Sequence, residues 1–158
     1  MTEASSSADA FVSDVRQRVE DACESGLHCA EAVVTALAQA QGIESGLIPR
    51  IATPFCGGLS RTHGPCGALT GAAMALGMAL GRDDGRRSEM PAYAATQELV
   101  RRFEREFGAR DCDQLLGCDI DTPDGEAAFQ AQGLYARCER YTVRAAELAA
   151  ALVARHKD

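Results

Sequence analysis

One uninterrupted stretch of the chain, from Thr62 to Gly81, contains no Asp, Glu, Lys or Arg and is rich in Gly and Ala. A membrane-spanning helix needs about 20 predominantly apolar residues, and His63, Pro65 and the many small side chains make this stretch a poor match. A helix that is apolar and small on several sides is expected at the centre of a protein, where neighbouring helices pack closely around it. The sequence therefore predicts a buried central helix that begins at about Pro65.

The rest of the chain has the periodicity of amphipathic helices. Apolar residues recur at helical spacing almost everywhere, and no segment alternates as a strand would or carries an Asn-Gly hairpin turn. With 5% aromatic residues and no Trp, the core has to come from close approach of helix backbones. We therefore predict an all-α fold, a single-domain bundle of about six to seven helices around the Gly/Ala-rich central helix. The other predicted helices cover about residues 8–23, 28–42, 45–55, 88–108, 111–117 and 123–155.

The polar first residues, the composition and the net charge of the chain limit the class of protein that it can be. The polar segment 1–7 lacks the basic and apolar regions of a secretory signal, and we predict a disordered polar tail there. Residues 8–158 are predicted to form a single helical cysteine-rich domain, since 46% hydrophobic residues can build one core. The formal charge of -7 argues against a nucleic-acid-binding protein. We expect a cytoplasmic protein that is not membrane-embedded.

Cysteine is the chemically distinctive residue of this chain. The seven cysteines are too few for a small secreted scaffold built on disulfides, and without a signal peptide they should be mostly reduced thiols. This favours metal, cluster or catalytic roles over structural bridges. No C-x-x-C occurs, so neither a thioredoxin-type pair nor a zinc ribbon is indicated, and a shared site must be assembled by the fold. The alternative is that the cysteines only pack as small apolar residues.

Four cysteines fall at distinctive places on the predicted helices. Cys29 and Cys138 head the apolar stripes of the second and last helices and should point toward the core. Cys66 and Cys112 fall in the first turns of the central helix and the next-but-one helix. Unpaired N–H groups and the helix dipole stabilise a thiolate at such positions, so these two are the predicted nucleophiles or anionic ligands.

Charged neighbours could modify these thiols. His63 lies close to Cys66 in sequence and His28 adjoins Cys29, so either could bind a metal or tune a thiolate. Arg61 could lower the pKa of Cys66 through its positive charge. A solvated loop or capping position is the simpler explanation for each histidine, and a plain loop cation explains Arg61 equally well.

Several motifs together resemble one known family. Cys66 to Gly71 reads Cys-Gly-Ala-Leu-Thr-Gly and matches a CGAxxG signature. From about Val15 to Leu148, the chain resembles the family of small redox-active proteins named for the spacing C_GCAxxG_C_C. The other matching segments are the first-cysteine helix at residues 29–33, a Phe-x-Gly-Gly loop at 54–59, the third-cysteine region at 107–119 and the fourth at 137–138.

The resemblance implies that Cys29, Cys66, Cys112 and Cys138 are the functional residues, as catalytic thiols, cofactor ligands or metal ligands. A similar cysteine-bearing domain occurs in split-Soret type cytochromes, where it is associated with an iron–sulfur cluster. A redox-active protein that either binds such a cluster for electron transfer or sensing, or cycles between thiol and disulfide, is therefore expected. The remaining cysteines depart from the family pattern or extend it; they are Cys23, Cys56 and Cys118.

Two other functions stay open at this stage. Members of the family are often encoded beside transporter genes, which makes a thiolate metal-binding accessory protein of a membrane transporter one alternative. A helical interaction module with structural cysteines is the other. We expect an unidentified redox partner, which could belong to a transporter system, and the acidic surface is compatible with a homo-oligomer. The motifs do not indicate whether the protein is an enzyme.

Overall fold

The computed structural model describes residues 2–156, with side chains from Ser6 onward. Helices account for 73% of the chain, and the part described contains no strand, so the predicted all-α class is confirmed. The helices are α1 (Thr2–Glu24), α2 (Cys29–Ala40), α3 (Cys56–Arg61), α4 (Gly67–Leu80), α5 (Met90–Phe107), α6 (Cys112–Leu116), α7 (Pro123–Ala131) and α8 (Tyr135–Arg155), with a 3₁₀ helix at Arg50–Phe55. No helix within the described residues is long and apolar enough to cross a membrane.

The Gly/Ala-rich helix α4 lies at the centre of the bundle, as predicted. It contacts α2, α5 and α8, and α1 packs against α2 and α8 on the far side. Gly71 is the point of closest approach, because a Cβ there would lie 2.8 Å from the carbonyl oxygen of Ala30 and 2.9 Å from its Cα. Only a glycine lets the backbones of α2 and α4 come this close.

The aromatic side chains hold α5, α6 and α8 together. Phe103, Phe107 and Tyr141 pack edge to face, with ring centroids 4.8 to 6.0 Å apart. The Tyr141 hydroxyl donates a hydrogen bond to the carbonyl oxygen of Leu115, at 3.1 Å. Tyr141 thereby fixes the short helix α6 against α8, and with it the cysteine at the start of each helix.

Three helix boundaries differ from the prediction in the first half of the chain. Helix α1 begins at Thr2, so it includes most of the segment predicted as a tail; Met1 lies outside the described residues. The predicted helix from Ser45 is instead the 3₁₀ helix, because Pro49 and Pro54 lack the N–H groups that an α-helix through this segment needs. Helix α4 begins at Gly67 rather than at Pro65.

The predicted last helix is two helices in the structure. Gly133, with φ of +61°, separates α7 from α8, and a residue in this conformation ends a right-handed helix. The sequence predicts only a bend at this position. The described residues therefore form seven right-handed α-helices, within the predicted six to seven, together with the 3₁₀ helix and the left-handed segment α3.

Candidate thiol-lined site

A cavity of about 560 Å³ lies where α1, α2, α3, α4, α6 and α8 meet. Its wall contains six of the seven cysteines, one from each of these helices or the residue that caps it. The lining cysteines are Cys23, Cys29, Cys56, Cys66, Cys112 and Cys138. The fold thus brings the four cysteines singled out by sequence to one cavity, together with two to which the sequence assigns no role.

The CGAxxG segment forms the floor of the cavity and the start of α4. Cys66 is the N-cap of α4, and the N–H groups of Ala68 and Leu69 in the first turn partly offset the effect of burial on the pKa of its thiol. A Cβ at Gly67 would collide with the sulfur of Cys29 and lie 3.0 Å from the carbonyl oxygen of Phe55. The glycine after Cys66 therefore leaves the space that the Cys29 thiol occupies.

Cys29 and Cys56 lie side by side at the beginning of α2. Cys29 is the first residue of that helix, and its thiol neighbours that of Cys56, whose pKa it raises. The Cys56 thiol donates a hydrogen bond to the carbonyl oxygen of Ala52 at 3.8 Å. The N–H groups of Ala30 and Glu31, in the first turn of α2, only partly offset the raised pKa of this thiol. Carboxylate oxygens of Glu31 accept from the His28 N–H at 2.9 Å and from the Thr53 hydroxyl at 2.6 Å, which ties the 3₁₀ helix to α2.

Main-chain pairing sets the separation of Cys66 and Cys112. The Cys66 N–H donates to the carbonyl oxygen of Arg110 at 2.7 Å, and the Cys112 N–H donates to that of Gly64 at 3.0 Å. These bonds surround an isolated antiparallel bridge between Pro65 and Asp111. The beginnings of α4 and α6 are therefore held together by the backbone itself.

Helix α3 is a left-handed turn that closes one side of the cavity. Residues 57–61 all have positive φ, between +51° and +67°, although Leu59, Ser60 and Arg61 are not glycines. The left-handed conformation costs such residues roughly 1–2 kcal/mol each. The Ser60 hydroxyl donates to the carbonyl oxygen of Pro54 at 2.7 Å, which helps to hold the turn.

The glycine at the centre of this turn touches the cysteine of α6. A Cβ at Gly58 would lie 2.5 Å from the Cβ of Cys112 and 2.7 Å from the carbonyl oxygen of Gly64. The left-handed path therefore carries the backbone directly against Cys112. Strained turns of this kind cluster at functional sites, so this turn supports the assignment of the cavity as the candidate site.

Cys138 completes the wall from α8. It lies in the first turns of that helix, ahead of the buried residues Thr142, Ala145 and Ala149. The Thr142 hydroxyl donates to the Cys138 carbonyl oxygen at 2.8 Å. The prediction that Cys138 heads the apolar stripe of its helix is confirmed, as it is for Cys29 ahead of Val33 and Leu37.

Comparison with known sequences identifies the family. The sequence model described as "Putative redox-active protein (C_GCAxxG_C_C)" matches residues 27–152. The chain belongs to the C_GCAxxG_C_C family. No curated protein and no solved structure matches it. The match covers α2 to α8 almost completely, so it includes every wall of the cavity except the one that α1 contributes.

In this C_GCAxxG_C_C protein, burial keeps the thiols of Cys66, Cys112 and Cys138 protonated near neutral pH. Burial raises the pKa of Cys66 and of Cys138 to about 12, and that of Cys112 to about 11. Neighbouring sulfurs add to the effect, since Cys112 and Cys138 both act on Cys66. The prediction that helix N-termini lower the pKa of Cys66 and Cys112 is wrong: loss of water outweighs the N–H groups of Ala68 and Leu69 at Cys66, and at Cys112 it acts together with the negative charge of Asp113.

The charged neighbours predicted to tune Cys66 are engaged elsewhere. The Arg61 guanidinium donates to the carbonyl oxygen of Ile120 at 3.0 Å and lies 3.4 Å from a Glu126 carboxylate oxygen. It does not lower the pKa of Cys66, which is raised. His63 faces away from the cavity, with its ring nitrogens 3.3 Å from Asp113 and 3.5 Å from Asp119. His28 lies at the exposed edge of the cavity.

Cys118 is the one cysteine that is absent from the cavity wall, although it contributes to the raised pKa of Cys112 and of Cys138. Within residues 2–156, no three His, Cys, Asp or Glu side chains converge closely enough to hold a single metal ion.

The sequence does contain a signal for Cys23 and Cys56, the two wall cysteines to which it assigns no role. Cys23 and Cys29 flank the turn at Gly26, and Cys56 and Cys66 flank the glycine loop, so one chain reversal brings each pair together.

The raised thiol pKa values predict how stability depends on pH. Between about pH 9 and about pH 12 the folded chain keeps protons on Cys66, Cys112 and Cys138 that the unfolded chain loses. The free energy of unfolding is therefore expected to fall as pH rises through this range, by roughly 1.4 kcal/mol per pH unit for each fully buried thiol. Urea unfolding at intervals across this pH range measures the fall in the free energy of unfolding. A Cys66→Ser variant should show a shallower fall, and identical slopes would contradict the assignment.

Proposed function

We propose that this protein is a one-electron redox protein whose cavity binds an iron–sulfur cluster through Cys29, Cys66, Cys112 and Cys138. The observation that carries the proposal is that these thiols, which come from four separate helices, line one cavity. Four cysteine thiolates are the standard ligand set of such clusters, and they would bind irons that lie apart within the cluster. The ligands therefore have to surround a cavity rather than converge on a point. A bound cluster supplies one-electron transfer.

The protonation of the cavity thiols supports a role as metal ligands over one as free nucleophiles. A thiol with a pKa of about 12, such as Cys66, is almost entirely uncharged near neutral pH and reacts slowly with oxidants. Coordination to a metal cation removes the proton, because the thiolate is the ligand. The N–H groups of Ala68 and Leu69 then offset the charge that Cys66 acquires. Loading is consequently expected to release protons and to become more favourable as pH rises.

The surroundings of the thiols are also suited to this role. All seven cysteines are unpaired in the structure, which is typical of a reducing compartment such as the cytoplasm. The exposed edge of the cavity carries polar side chains, among them His28, Arg61, Glu126 and Gln130. This edge is the side from which a redox partner can approach. The inner part of the cavity buries Cys66 and Cys112, which limits the access of water to their sulfurs.

Metal and sulfide analysis of protein purified without air tests the proposal. We expect a brown protein with a visible absorption band and with iron and acid-labile sulfide in comparable amounts. A colourless, iron-free protein, both as purified and after incubation with ferrous iron and sulfide, would contradict it. Zinc or copper(I) bound in stoichiometric amount without sulfide would instead favour the thiolate metal-binding alternative.

A further inference from the structure

Helix α7 lies along one side of the cavity but is only lightly held there. Of its nine residues, only Gly125 is buried. That burial is local, because a Cβ at Gly125 would collide with the carbonyl oxygen of Asp119, in the connection that precedes the helix. Phe129 is the one large apolar residue of α7, and it is half-buried against the core. Few apolar contacts therefore hold α7 against the bundle, which is typical of segments that open locally.

The helix and the turn before it are bonded within themselves. The Thr122 hydroxyl accepts from the Gly125 N–H at 3.0 Å and donates to the carbonyl oxygen of Asp119 at 2.9 Å. These bonds lie inside the segment, so they are kept if the segment moves as one body. Gly117 and Gly133 flank it with φ of +73° and +61°, and a Cβ at either would meet no atom within 4 Å. Backbone rotation at these two glycines is unobstructed, as a hinge requires.

Two side chains from α3 and the loop after it fasten this segment to the cavity. The Arg61 guanidinium donates to the carbonyl oxygen of Ile120 at 3.0 Å and lies 3.4 Å from a Glu126 carboxylate oxygen. A ring nitrogen of His63 lies 3.5 Å from a carboxylate oxygen of Asp119. The side chains of both pairs are exposed to solvent, and exposed ion pairs contribute little free energy each. Arg61 reaches both the connection and the helix, so it is the principal fastening.

The segment forms part of the wall around the buried thiols. Cys66 exposes only 7% of its surface, so a reagent needs an opening in the wall to reach its sulfur. Seven of the twelve residues of α2 are buried, against one of nine in α7, which makes α7 the wall that opens more readily. The side chains that the segment contributes to the cavity are Ile120, Glu126, Phe129 and Gln130.

We propose that residues 119–131 are a hinged lid over the cavity thiols, held closed by Arg61. When the contacts of Arg61 break, the lid lifts as a unit on Gly117 and Gly133 and opens the cavity to solvent. Small ions and reagents then reach Cys66 without unfolding of the bundle. That ferrous iron and sulfide enter by this route rests on the proposed function, whereas the lid itself does not depend on it.

The alkylation rate of Cys66 in iron-free, fully reduced chain tests the lid. Iodoacetamide is the probe, and peptide fragmentation in the mass spectrometer separates Cys66 from Cys56. We expect Arg61→Ala to raise the rate by about two- to fivefold, the size expected for loss of an exposed ion pair. The control is Arg86→Ala, which removes an exposed arginine paired at 2.7 Å with Asp84 of its own loop, and it should leave the rate unchanged.

The urea dependence of this rate in the unaltered chain separates lid opening from global unfolding. Lid opening exposes little surface, so the rate should be almost independent of urea well below the unfolding midpoint. A rate that rises from zero urea with the slope of global unfolding, or equal rates in Arg61→Ala and the unaltered chain, would overturn the proposal. Because the chain carries no iron in this experiment, such a result leaves the cluster assignment untouched, and the iron and sulfide analysis judges that assignment separately.

Discussion

The Cys66→Ser variant is expected to lose its iron and acid-labile sulfide while it keeps its fold. Serine replaces a soft thiolate ligand with a hydroxyl that is rarely deprotonated, so iron content should drop by more than about tenfold. Cys66 is the N-cap of α4, and serine is among the residues most favoured at that position. The substitution therefore removes the ligand without weakening the start of the helix.

Matched measurements separate ligand loss from unfolding. The urea midpoint of the iron-free variant near neutral pH should equal or exceed that of the iron-free parent chain. Cys118→Ser serves as the control, since Cys118 is not among the residues that line the cavity, and it should retain full iron content. Normal iron and sulfide in Cys66→Ser would remove Cys66 from the ligand set.

The Gly71→Ala variant is expected to have the largest effect on stability. The new methyl group would lie within 2.9 Å of two backbone atoms of Ala30. Backbone atoms cannot move aside as a side-chain rotamer can, so α2 and α4 would have to separate. Overpacking of this kind costs about 1–3 kcal/mol of the free energy of unfolding. Urea unfolding of the iron-free chain measures the loss.

Gly77→Ala on the same helix gives a control with the opposite expected sign. Gly77 is exposed, and a Cβ there meets no atom within 4 Å. Alanine at this position should stabilise the chain by about 0.5–1 kcal/mol, because glycine has the higher entropic cost in a helix. If both substitutions shifted stability in the same direction, close packing of α2 on α4 would not be what requires Gly71.

The central helix and the cavity cysteines could be predicted from local patterns. A helical stretch without charges and rich in small residues is expected in the middle of a helical bundle, and α4 lies there. The positions of Cys29 and Cys138 follow from helical periodicity, since each precedes buried residues at the spacing of one helix turn. The family match rests on the same residues, because the CGAxxG segment is local in sequence.

Features that depend on contacts distant in sequence could not be predicted. The pairing of residues 64–66 with 110–112 depends on hydrogen bonds between segments with no local pattern in common. The left-handed turn after Cys56 is stabilised by its neighbours against the preference of Leu59, Ser60 and Arg61. The raised pKa of Cys66 depends on how completely the fold buries it, which helix position alone does not reveal.

The backbone hydrogen bonds between the starts of α4 and α6 fix the spacing of positions 66 and 112, whichever side chains those positions carry. The bonds from the Cys66 and Cys112 N–H groups to Arg110 and Gly64 involve no side-chain atom. Other side chains can therefore be presented at the same two positions with the same spacing. Histidine at one or both would offer imidazole in place of thiolate and would change metal preference and redox potential on an unaltered scaffold. The chain is consequently a starting point for designing new metalloproteins in which only the donor atoms vary.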